Sequence, residues 1–326
     1  MTVDRDISII FSTHNRSRVL RSTLEAMCEV ERSGLQVEIV VVDNNSTDDT
    51  AQVIGSFADR LPLLHLFEPS PGKNRALNHA LENADLGKIV IFTDDDVVPK
   101  ANWLTAVIGA CERWPEYSVF GGKIELIWPT RVAVPDWVHA NPEIWAFMFS
   151  YHDRGDSECE YASGDFPFGP NFWVRRTVFD GGRRYAESIG PRPGGYAMGG
   201  ETSFLRTLAT SGYQSFYIPG AIVGHRVQSR FLSIINVLKR ALKKGRGRAR
   251  VFGMPAEVLF RAHPYLWRIQ RVNSAAKALA RVAKVLLPSL GVPKVTMACR
   301  AFSALGFHLE SLSMASQGAR FFNESK

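Results

Sequence analysis

Three clusters of polar side chains that could bind an anionic ligand each follow a short apolar run, at residues 12–16, 43–48 and 94–96. The third cluster is Asp-Asp-Asp, and acids at this spacing can offer oxygen ligands to Mg²⁺ or Mn²⁺, which also bind diphosphate oxygens. Such a cation would stabilise the negative charge that builds on a departing diphosphate. Capping of the following helix could explain any one cluster, but it explains three in a row less well.

The elements that must position these clusters alternate between short apolar runs and helical patterns over the first 125 residues. This alternation predicts strand–helix–strand units and a mostly parallel sheet. The predicted strands are residues 7–11, 37–42, 63–67, 89–92 and 118–120. Because the carboxyl ends of parallel strands lie along one edge, where open α/β sheets bind ligands, we expect the three clusters to meet there.

The regular pattern is lost between residues 124 and 170, where Pro, Gly and aromatic residues are frequent. This composition is typical of a loop-rich acceptor region, and irregular packing would produce it too. Beyond it we predict a strand at residues 171–174, a helix from about residue 200 to 212, and an edge strand at residues 215–218. From residue 231 onward the pattern is helical and basic, and prolines divide it into segments.

Charge is unevenly divided along the chain. Residues 1–225 carry 20 Lys/Arg against 29 Asp/Glu, whereas residues 226–326 carry 19 against 3. In the basic part, Lys277, Arg281 and Lys284 fall on one helical face. This pattern is typical of an interfacial helix on anionic lipid, and also of a solvated face over a packed helical subdomain. Nucleic-acid binding is not expected, because no known nucleic-acid-binding motif accompanies the charge.

The predicted compartment is the cytoplasm, with peripheral attachment to the inner face of the membrane through residues 226–326. Four cysteines, Cys28, Cys111, Cys159 and Cys299, are widely spaced and predict neither a disulfide framework nor a zinc site. The N-terminus has no signal-peptide pattern, and no apolar run reaches the roughly 18 residues of a spanning helix.

Four motifs, in order, resemble those of the family 2 glycosyltransferases, which have the GT-A nucleotide-sugar-binding fold. Residues 9–16 are similar to the opening strand and turn of the family, and residues 40–50, Val-Val-Val-Asp-Asn-Asn-Ser-Thr-Asp-Asp-Thr, to its second motif. Residues 71–78 resemble its Gly-Lys-x-x-Ala-Leu-Asn element, and residues 92–99 its metal-binding motif. The resemblance, which runs from about residue 7 to 225, implies an α/β fold with a mostly parallel central sheet flanked by helices. The charge and the helical pattern add a helical basic C-terminal tail.

The domain organisation that this resemblance implies is a catalytic domain at residues 1–225 and a basic helical region at residues 226–326. The catalytic domain would consist of a nucleotide-sugar-binding half, residues 1–123, and an acceptor-side half, residues 124–225.

The resemblance also implies roles for individual residues. Asp43 is expected to hydrogen-bond the base, Asp94 to face the donor sugar or ribose, and Asp96 and His225 to bind Mg²⁺ or Mn²⁺. The full set expected around the nucleotide sugar is Thr13, Asn15, Arg16, Asp43, Lys73, Asn78, Asp94 and Asp95.

The acceptor side of the resemblance rests on residues 199–206, Gly-Gly-Glu-Thr-Ser-Phe-Leu-Arg. They are similar to the acidic motif of the family, with Gly200 in place of its first acid. Glu201 holds the position of the acid that removes the acceptor proton. Further acceptor-side candidates are Asp165, Asn171 and Trp173.

The predicted function is metal-dependent, inverting transfer of one sugar from a nucleotide diphosphate sugar to a hydroxyl of a glycan or lipid-linked acceptor, in polysaccharide or glycoconjugate biosynthesis. The chain lacks the Gln-x-x-Arg-Trp motif usual in processive synthases of the family, which favours single additions. Two alternatives stay open. A sugar-phosphate nucleotidyltransferase normally opens on a Gly-rich basic loop, and a catalytically weak nucleotide-sugar-binding protein would be expected to lose the base or the metal acids. The sugar, the nucleotide, the acceptor and the oligomeric state are left open.

Overall fold

A mixed β-sheet positions the polar clusters. The computed structural model describes residues 5–190, 198–252, 277 and 294–324. The strands of these residues are β1 (Ile7–Thr13), β2 (Val37–Asp43), β3 (Leu63–Phe67), β4 (Ile89–Phe92), β5 (Val97–Pro99), β6 (Val119–Ile127), β7 (Cys159–Glu160), β8 (Phe172–Arg175) and β9 (Ser215–Arg226). They join in the order β3-β2-β1-β4-β8-β6-β9-β5, and β7 pairs with β9.

The sheet contains parallel and antiparallel pairs, and β6 is parallel to β9. Strands β3, β2, β1 and β4 are parallel to one another, as the alternating pattern predicts. Strand β8 runs antiparallel to both of its neighbours, and β5 and β7 run antiparallel to β9. The parallel part therefore brings the carboxyl ends of β1, β2 and β4 to one edge.

Helices connect and cover these strands. They are α1 (Ser17–Cys28), α2 (Thr50–Gly55), α3 (Lys73–Asn83), α4 (Trp103–Arg113), α5 (Asp136–His139), α6 (Trp145–Phe149), α7 (Gly200–Thr210), α8 (Ile234–Phe252) and α9 (Lys294–Glu324). Single 3₁₀ turns occur at Pro142–Ile144, Arg176–Phe179 and Ser229–Leu232. Within the described residues, none of these helices is both long and apolar enough to cross a membrane.

The continuous apolar runs form strands because both faces of the sheet are covered. Successive strand residues point to opposite faces. Ile9 and Phe11 of β1 accordingly join a core that includes Leu20 of α1, whereas Ile10 joins a second core with Leu77 of α3. Burial on both faces is why these segments show no alternation of apolar and polar residues.

The prediction of a short edge strand at residues 215–218 is wrong. Strand β9 continues to Arg226 and lies between β6 and β5. Its pairing with β6 shifts register after Ile218, which faces Gly122, and resumes at Ile222, which faces Lys123. Residues 219–221, Pro-Gly-Ala, form this irregularity. A Pro-Gly pair is typical of a strand end, but in β9 it lies at a bulge within a longer strand.

The chain divides into two compact units. The first, here called the sheet unit, comprises residues 1–127, 149–188 and 200–227. The second, the helical unit, comprises residues 128–148, 189–199 and 228–326. The helical unit thus includes part of the region predicted to form the acceptor-side half.

Helices α8 and α9 pack closely within the helical unit. A Cβ atom at Gly245 would lie 1.9 Å from the carbonyl oxygen of Ser303, so only glycine permits this approach. The buried carboxylate of Glu310 accepts hydrogen bonds from Nε of Arg246 and Nε of Arg250, both at 2.6 Å. Part of the basic charge of the tail is therefore used inside a packed helical subdomain. Of the predicted cationic face, Lys277 is described, and Arg281 and Lys284 lie outside the described residues.

Candidate active site

The ends of β1, β2 and β4 bring the three polar clusters together, as predicted. Thr13 of β1 lies opposite Asp43 of β2, and Ile10 of β1 lies opposite Phe92 of β4. The hydroxyl of Thr13 donates to Oδ2 of Asp95 at 2.7 Å. The acidic cluster therefore begins two residues beyond β4, beside the end of β1.

Arg16 binds two of the three clustered acids. Its guanidinium donates from Nη1 to Asp95 and from Nη2 to Oδ2 of Asp96, the latter at 2.7 Å. Both aspartates are buried. Burial raises the pKa of Asp95 to about 7, although the charge of Arg16 acts in the opposite direction. Arg16 thus neutralises part of an acidic site that would otherwise be costly to bury.

His225 approaches the same acidic cluster from β9. Its Nε2 lies 3.2 Å from Oδ1 of Asp96, and its Nδ1 lies 2.8 Å from the carbonyl oxygen of Phe149. Because a carbonyl only accepts hydrogen bonds, Nδ1 must donate. Burial opposes charge on both groups, but their contact raises the pKa of His225 and, with Arg16, holds the pKa of Asp96 well below its usual range.

Asp94, Asp96 and His225 could hold a metal ion. One ligand atom from each residue lies within 4.8 Å of the others. Two carboxylates and an imidazole are a suitable donor set for Mn²⁺ or Mg²⁺ with additional ligands from a diphosphate. The bond from Nδ1 of His225 to a backbone carbonyl is also the usual support of a metal-binding histidine. Asp96 and His225, which the resemblance assigned to the metal, therefore fit such an ion, and Asp94, which was expected to face the donor sugar or ribose, is a third candidate ligand.

Lys73 connects the acidic cluster to Glu201. Its Nζ lies 2.6 Å from Oδ1 of Asp94 and 2.5 Å from Oε1 of Glu201. Burial opposes the charge of the lysine, but the two carboxylates outweigh it and raise its pKa above the ordinary value. The structure thus brings Glu201, the predicted base, next to the predicted donor site, although Lys73 and Glu201 are 128 residues apart along the chain.

Gly200 stands at a position where the resemblance leads one to expect an acid. Close packing explains why a glycine is found there. A Cβ atom at this position would lie 2.4 Å from Oδ1 of Asn74 in α3. A larger residue at position 200 would therefore force the buried Asn74 side chain or the start of α7 to shift. Asn74 itself donates to the carbonyl of Ala186 at 2.8 Å.

The second cluster forms a turn that holds the first. Asp43 is buried, and its Oδ1 accepts from the backbone of Ser46 at 2.9 Å. Asn15 has a positive φ of 49°, and its Oδ1 accepts from the backbone of Thr47 at 2.7 Å. The two turns therefore support each other at the edge where a nucleotide is expected.

Asn44 is a positioning residue that the sequence analysis did not single out. Its Nδ2 donates to the carbonyl of Ser70 at 2.8 Å, and its Oδ1 accepts from the backbone of Gly72 at 2.7 Å. It therefore fixes the loop that leads into Lys73. Its position inside the second motif is the sequence signal that could have identified it.

Two of the acceptor-side predictions are wrong. Asn171 is fully buried, where it accepts from Nε1 of Trp103 and donates to the carbonyls of Lys123 and Ala221. Trp173 is fully buried within β8. Both side chains are buried inside the sheet unit, so neither can contact an acceptor.

Two further predicted residues lie apart from the acidic cluster. Asn78 is buried, and its amide pairs with the backbone of Tyr185 in both directions, at 3.0 and 2.8 Å. This position gives no support to a nucleotide contact. Asp165 forms an ion pair with Arg154 at 3.2 Å, and its acceptor role stays a prediction.

Comparison with known families gives a match over more than half of the chain. The model of the family described as glycosyl transferase family 2 matches residues 8–182. Among curated proteins, the probable glycosyltransferase YdaM of Bacillus subtilis is 23% identical over 66% of this chain. The aligned part is 49% of YdaM, so the chain spans about half the length of that relative.

Solved structures show the same fold at low sequence identity. The mannosyltransferase PcManGT from Pyrobaculum calidifontis, in complex with GDP-Man and Mn²⁺, has a TM-score of 0.60 at 19% identity, covering 95% of this chain and 88% of its own. Residues 1–349 of S. aureus TarS, in complex with UDP-GlcNAc, have a TM-score of 0.52 at 16% identity, covering 96% and 92%. These structures have the GT-A fold that the sequence predicted.

Proposed function

This chain belongs to glycosyl transferase family 2, and on that premise we propose that it transfers one sugar from a nucleotide diphosphate sugar to an acceptor hydroxyl with inversion. The observation that carries the proposal is the meeting of Asp94, Asp96 and His225 with Glu201, through Lys73, at the carboxyl edge of the parallel strands. This places a candidate cation site beside a candidate base.

The donor would bind at the edge formed by β1, β2 and β4. Asp43 and the turn at Asn15 lie there and would contact the base and ribose. PcManGT is a complex with GDP-Man and TarS with UDP-GlcNAc, which supports a nucleotide sugar as the donor class. The two neighbours differ in both nucleotide and sugar, so the donor of this chain remains to be identified.

Asp94, Asp96 and His225 would hold Mg²⁺ or Mn²⁺. When bound, such an ion supplies positive charge against the charge that develops on the leaving nucleotide diphosphate. The chain's own contribution is to hold the ligands. Arg16 orients the carboxylate of Asp96, and the carbonyl of Phe149 orients the imidazole of His225.

Glu201 would act as the general base. It lies in the first turn of α7, and its carboxylate faces Lys73 at the acidic cluster. A carboxylate that takes the acceptor proton as the new bond forms contributes typically about 10²- to 10⁴-fold to the rate. Attack by the activated hydroxyl from the side opposite the diphosphate inverts the anomeric centre, so an α-linked donor would give a β-linked product.

The acceptor would be a glycan or lipid-linked hydroxyl, and the helical unit offers a surface that suits an anionic membrane. Ile234 and Ile235, at the start of α8, are 42% and 65% exposed. Arg230 and Lys239 are exposed on either side of them, and residues 226–256 contain no acid. Exposed isoleucines beside cations combine apolar insertion with attraction to anionic lipid.

The decisive experiment is Glu201→Gln, which retains size and polarity but cannot accept a proton. Donor binding should survive, and turnover should fall at least about 100-fold. Glu82→Gln is the matched control, because Glu82 is an exposed acid that pairs with Arg184. Normal turnover of Glu201→Gln, or a product that retains the donor's configuration, would contradict the assignment.

The same assay separates the two alternatives. A nucleotidyltransferase would release pyrophosphate from a nucleoside triphosphate and a sugar phosphate. A nucleotide-sugar-binding protein would bind the donor without transfer in wild type and variant alike.

A further inference from the structure

The ammonium group of Lys73 contacts two carboxylates to which the proposed function gives different roles. Its Nζ lies 2.6 Å from Asp94, a candidate metal ligand, and 2.5 Å from Glu201, the candidate base. All three side chains are largely buried, with exposures of 19%, 24% and 22%. One cation is therefore shared between the metal site and the base.

The backbone holds Lys73 at this place. Gly72 has a φ of 150°, in the region that favours glycine, and its N–H donates to Oδ1 of Asn44. Lys73 then begins α3. On the other side, Gly200 packs against Asn74 so closely that no Cβ would fit between them. The starts of α3 and α7 are thus fixed against each other, and the lysine and the glutamate with them.

The position of the ammonium conflicts with that of a divalent ion. An ion bound to Asp94 would sit close to the positive charge on Nζ, and like charges in a largely buried site repel strongly. A neighbouring charge shifts the pKa of a carboxylate by about one to three units. A pKa unit is a tenfold change in proton affinity, so the affinity of the carboxylate for another cation can change by about one to three powers of ten. Metal and ammonium therefore compete for the same carboxylate.

We propose that Lys73 is a positioning residue that competes with the divalent cation for Asp94 and holds the carboxylate of Glu201 in place for catalysis. This inference rests on the proposed function. It predicts two effects of opposite sign when the charge at position 73 is removed. Metal should bind more tightly, because its competitor is gone, whereas turnover should fall, because the base is no longer held.

The first test measures Mn²⁺ binding by isothermal titration calorimetry to the full chain, with no donor added. Lys73→Met should bind Mn²⁺ on the order of tenfold more tightly than wild type. Lys73→Arg keeps the charge and should remain near wild type. The control is Lys100→Met, since Lys100 is an exposed lysine whose Nζ lies 3.3 Å from Glu125, and it should change nothing. Equal affinity of Lys73→Met and wild type would overturn the competition.

The second test needs no variant. Amine labelling of wild-type protein, read by mass spectrometry, should increase at Lys73 when Mn²⁺ is added, because the ion displaces the ammonium from Asp94. Labelling at Lys100 should stay constant. Unchanged or reduced labelling of Lys73 at saturating Mn²⁺ would overturn the inference, even if Lys73→Met does not fold.

The outcomes distinguish this inference from the proposed function. If wild type binds no Mn²⁺ even with a nucleotide sugar present, the proposed metal site fails. If wild type binds Mn²⁺ but the Lys73 variants and the labelling show no competition, only the role of Lys73 fails. For the positioning role, Lys73→Met should lower kcat with little effect on the donor KM, and Lys73→Arg should restore part of kcat. A kcat that Lys73→Met leaves unchanged would remove that role.

Discussion

The folded chain should lose stability in mild acid because His152 is buried as a neutral imidazole. Its Nε2 lies 2.6 Å from the hydroxyl of Tyr161, and its ring stacks on Tyr161 and packs against Phe168. Backbone hydrogen bonds to Ile124 hold it in both directions. Burial, reinforced by the charge of Arg154, lowers the pKa of His152 from 6.5 to about 4.

The size of the effect follows from this shift. A folded-state pKa below the unfolded one favours the neutral form, so the stability it contributes is full above pH 6.5 and is lost as the pH falls towards 4. Each pKa unit corresponds to about 1.36 kcal/mol. The free energy of unfolding should therefore fall by about 2 kcal/mol at pH 5 and by about 3 kcal/mol at pH 4 through this residue alone.

The assay compares wild type with His152→Phe by urea unfolding at pH 7.5 and pH 5.0. Phenylalanine keeps the ring contacts but leaves the Tyr161 hydroxyl without its partner, so the variant should be about 1–3 kcal/mol less stable at pH 7.5. Carboxylates titrate similarly in both proteins and cancel. The advantage of wild type should therefore shrink by about 2 kcal/mol at pH 5.0.

The exposed His65 supplies a matched control for the exchange of histidine for phenylalanine, because its side chain lies outside the buried core. If wild type and His152→Phe differ by the same free energy at both pH values, the imidazole is not held neutral by burial and the reasoning is refuted.

Three further predictions concern the site, the core and the helical unit. Asp96→Ala should abolish transfer, and chelation should silence wild type until Mg²⁺ or Mn²⁺ is restored; full activity in excess EDTA would contradict metal dependence. Asn171→Ala should lower the free energy of unfolding by about 2–4 kcal/mol, because it leaves buried partners unsatisfied. A stably folded Asn171→Ala protein with a raised acceptor KM would return the residue to the acceptor site. Replacing Ile234 and Ile235 by Asn should weaken sedimentation with anionic liposomes at least tenfold, since burying one such side chain is worth about 1.5–3 kcal/mol. Equal binding of wild type to neutral and anionic vesicles would exclude the electrostatic part.

Local pattern was sufficient to predict the first parallel strands and the polar edge that they form. Continuous apolar runs such as residues 39–42 and 89–92 are typical of central parallel strands that are buried on both faces. The carboxyl ends of adjacent parallel strands lie at the same edge of the sheet. The polar residues that follow these strands therefore lie close together. The contacts of Thr13 and Arg16 with Asp95 confirm this meeting.

Contacts between distant segments were decided only by the tertiary structure. Asn171 and Trp173 lie in a stretch rich in polar and aromatic residues, and nothing local shows that β8 is inserted between β4 and β6, where both side chains are buried. The Pro-Gly pair in β9 ends a strand by local rules, but pairing with β6 on one side and β5 on the other extends it to Arg226.

The link between the candidate metal site and the candidate base was also decided by tertiary contacts. Lys73 begins α3 and Glu201 lies in the first turn of α7. Sequence spacing says nothing about the distance between two helix starts so far apart along the chain. In the folded chain, Gly200 has no side chain and lets the start of α7 approach the Asn74 side chain of α3 closely. The sequence by itself singled out the acidic cluster, Lys73 and Glu201 as candidates for chemistry, whereas packing in the folded chain determined that Lys73 contacts both Asp94 and Glu201.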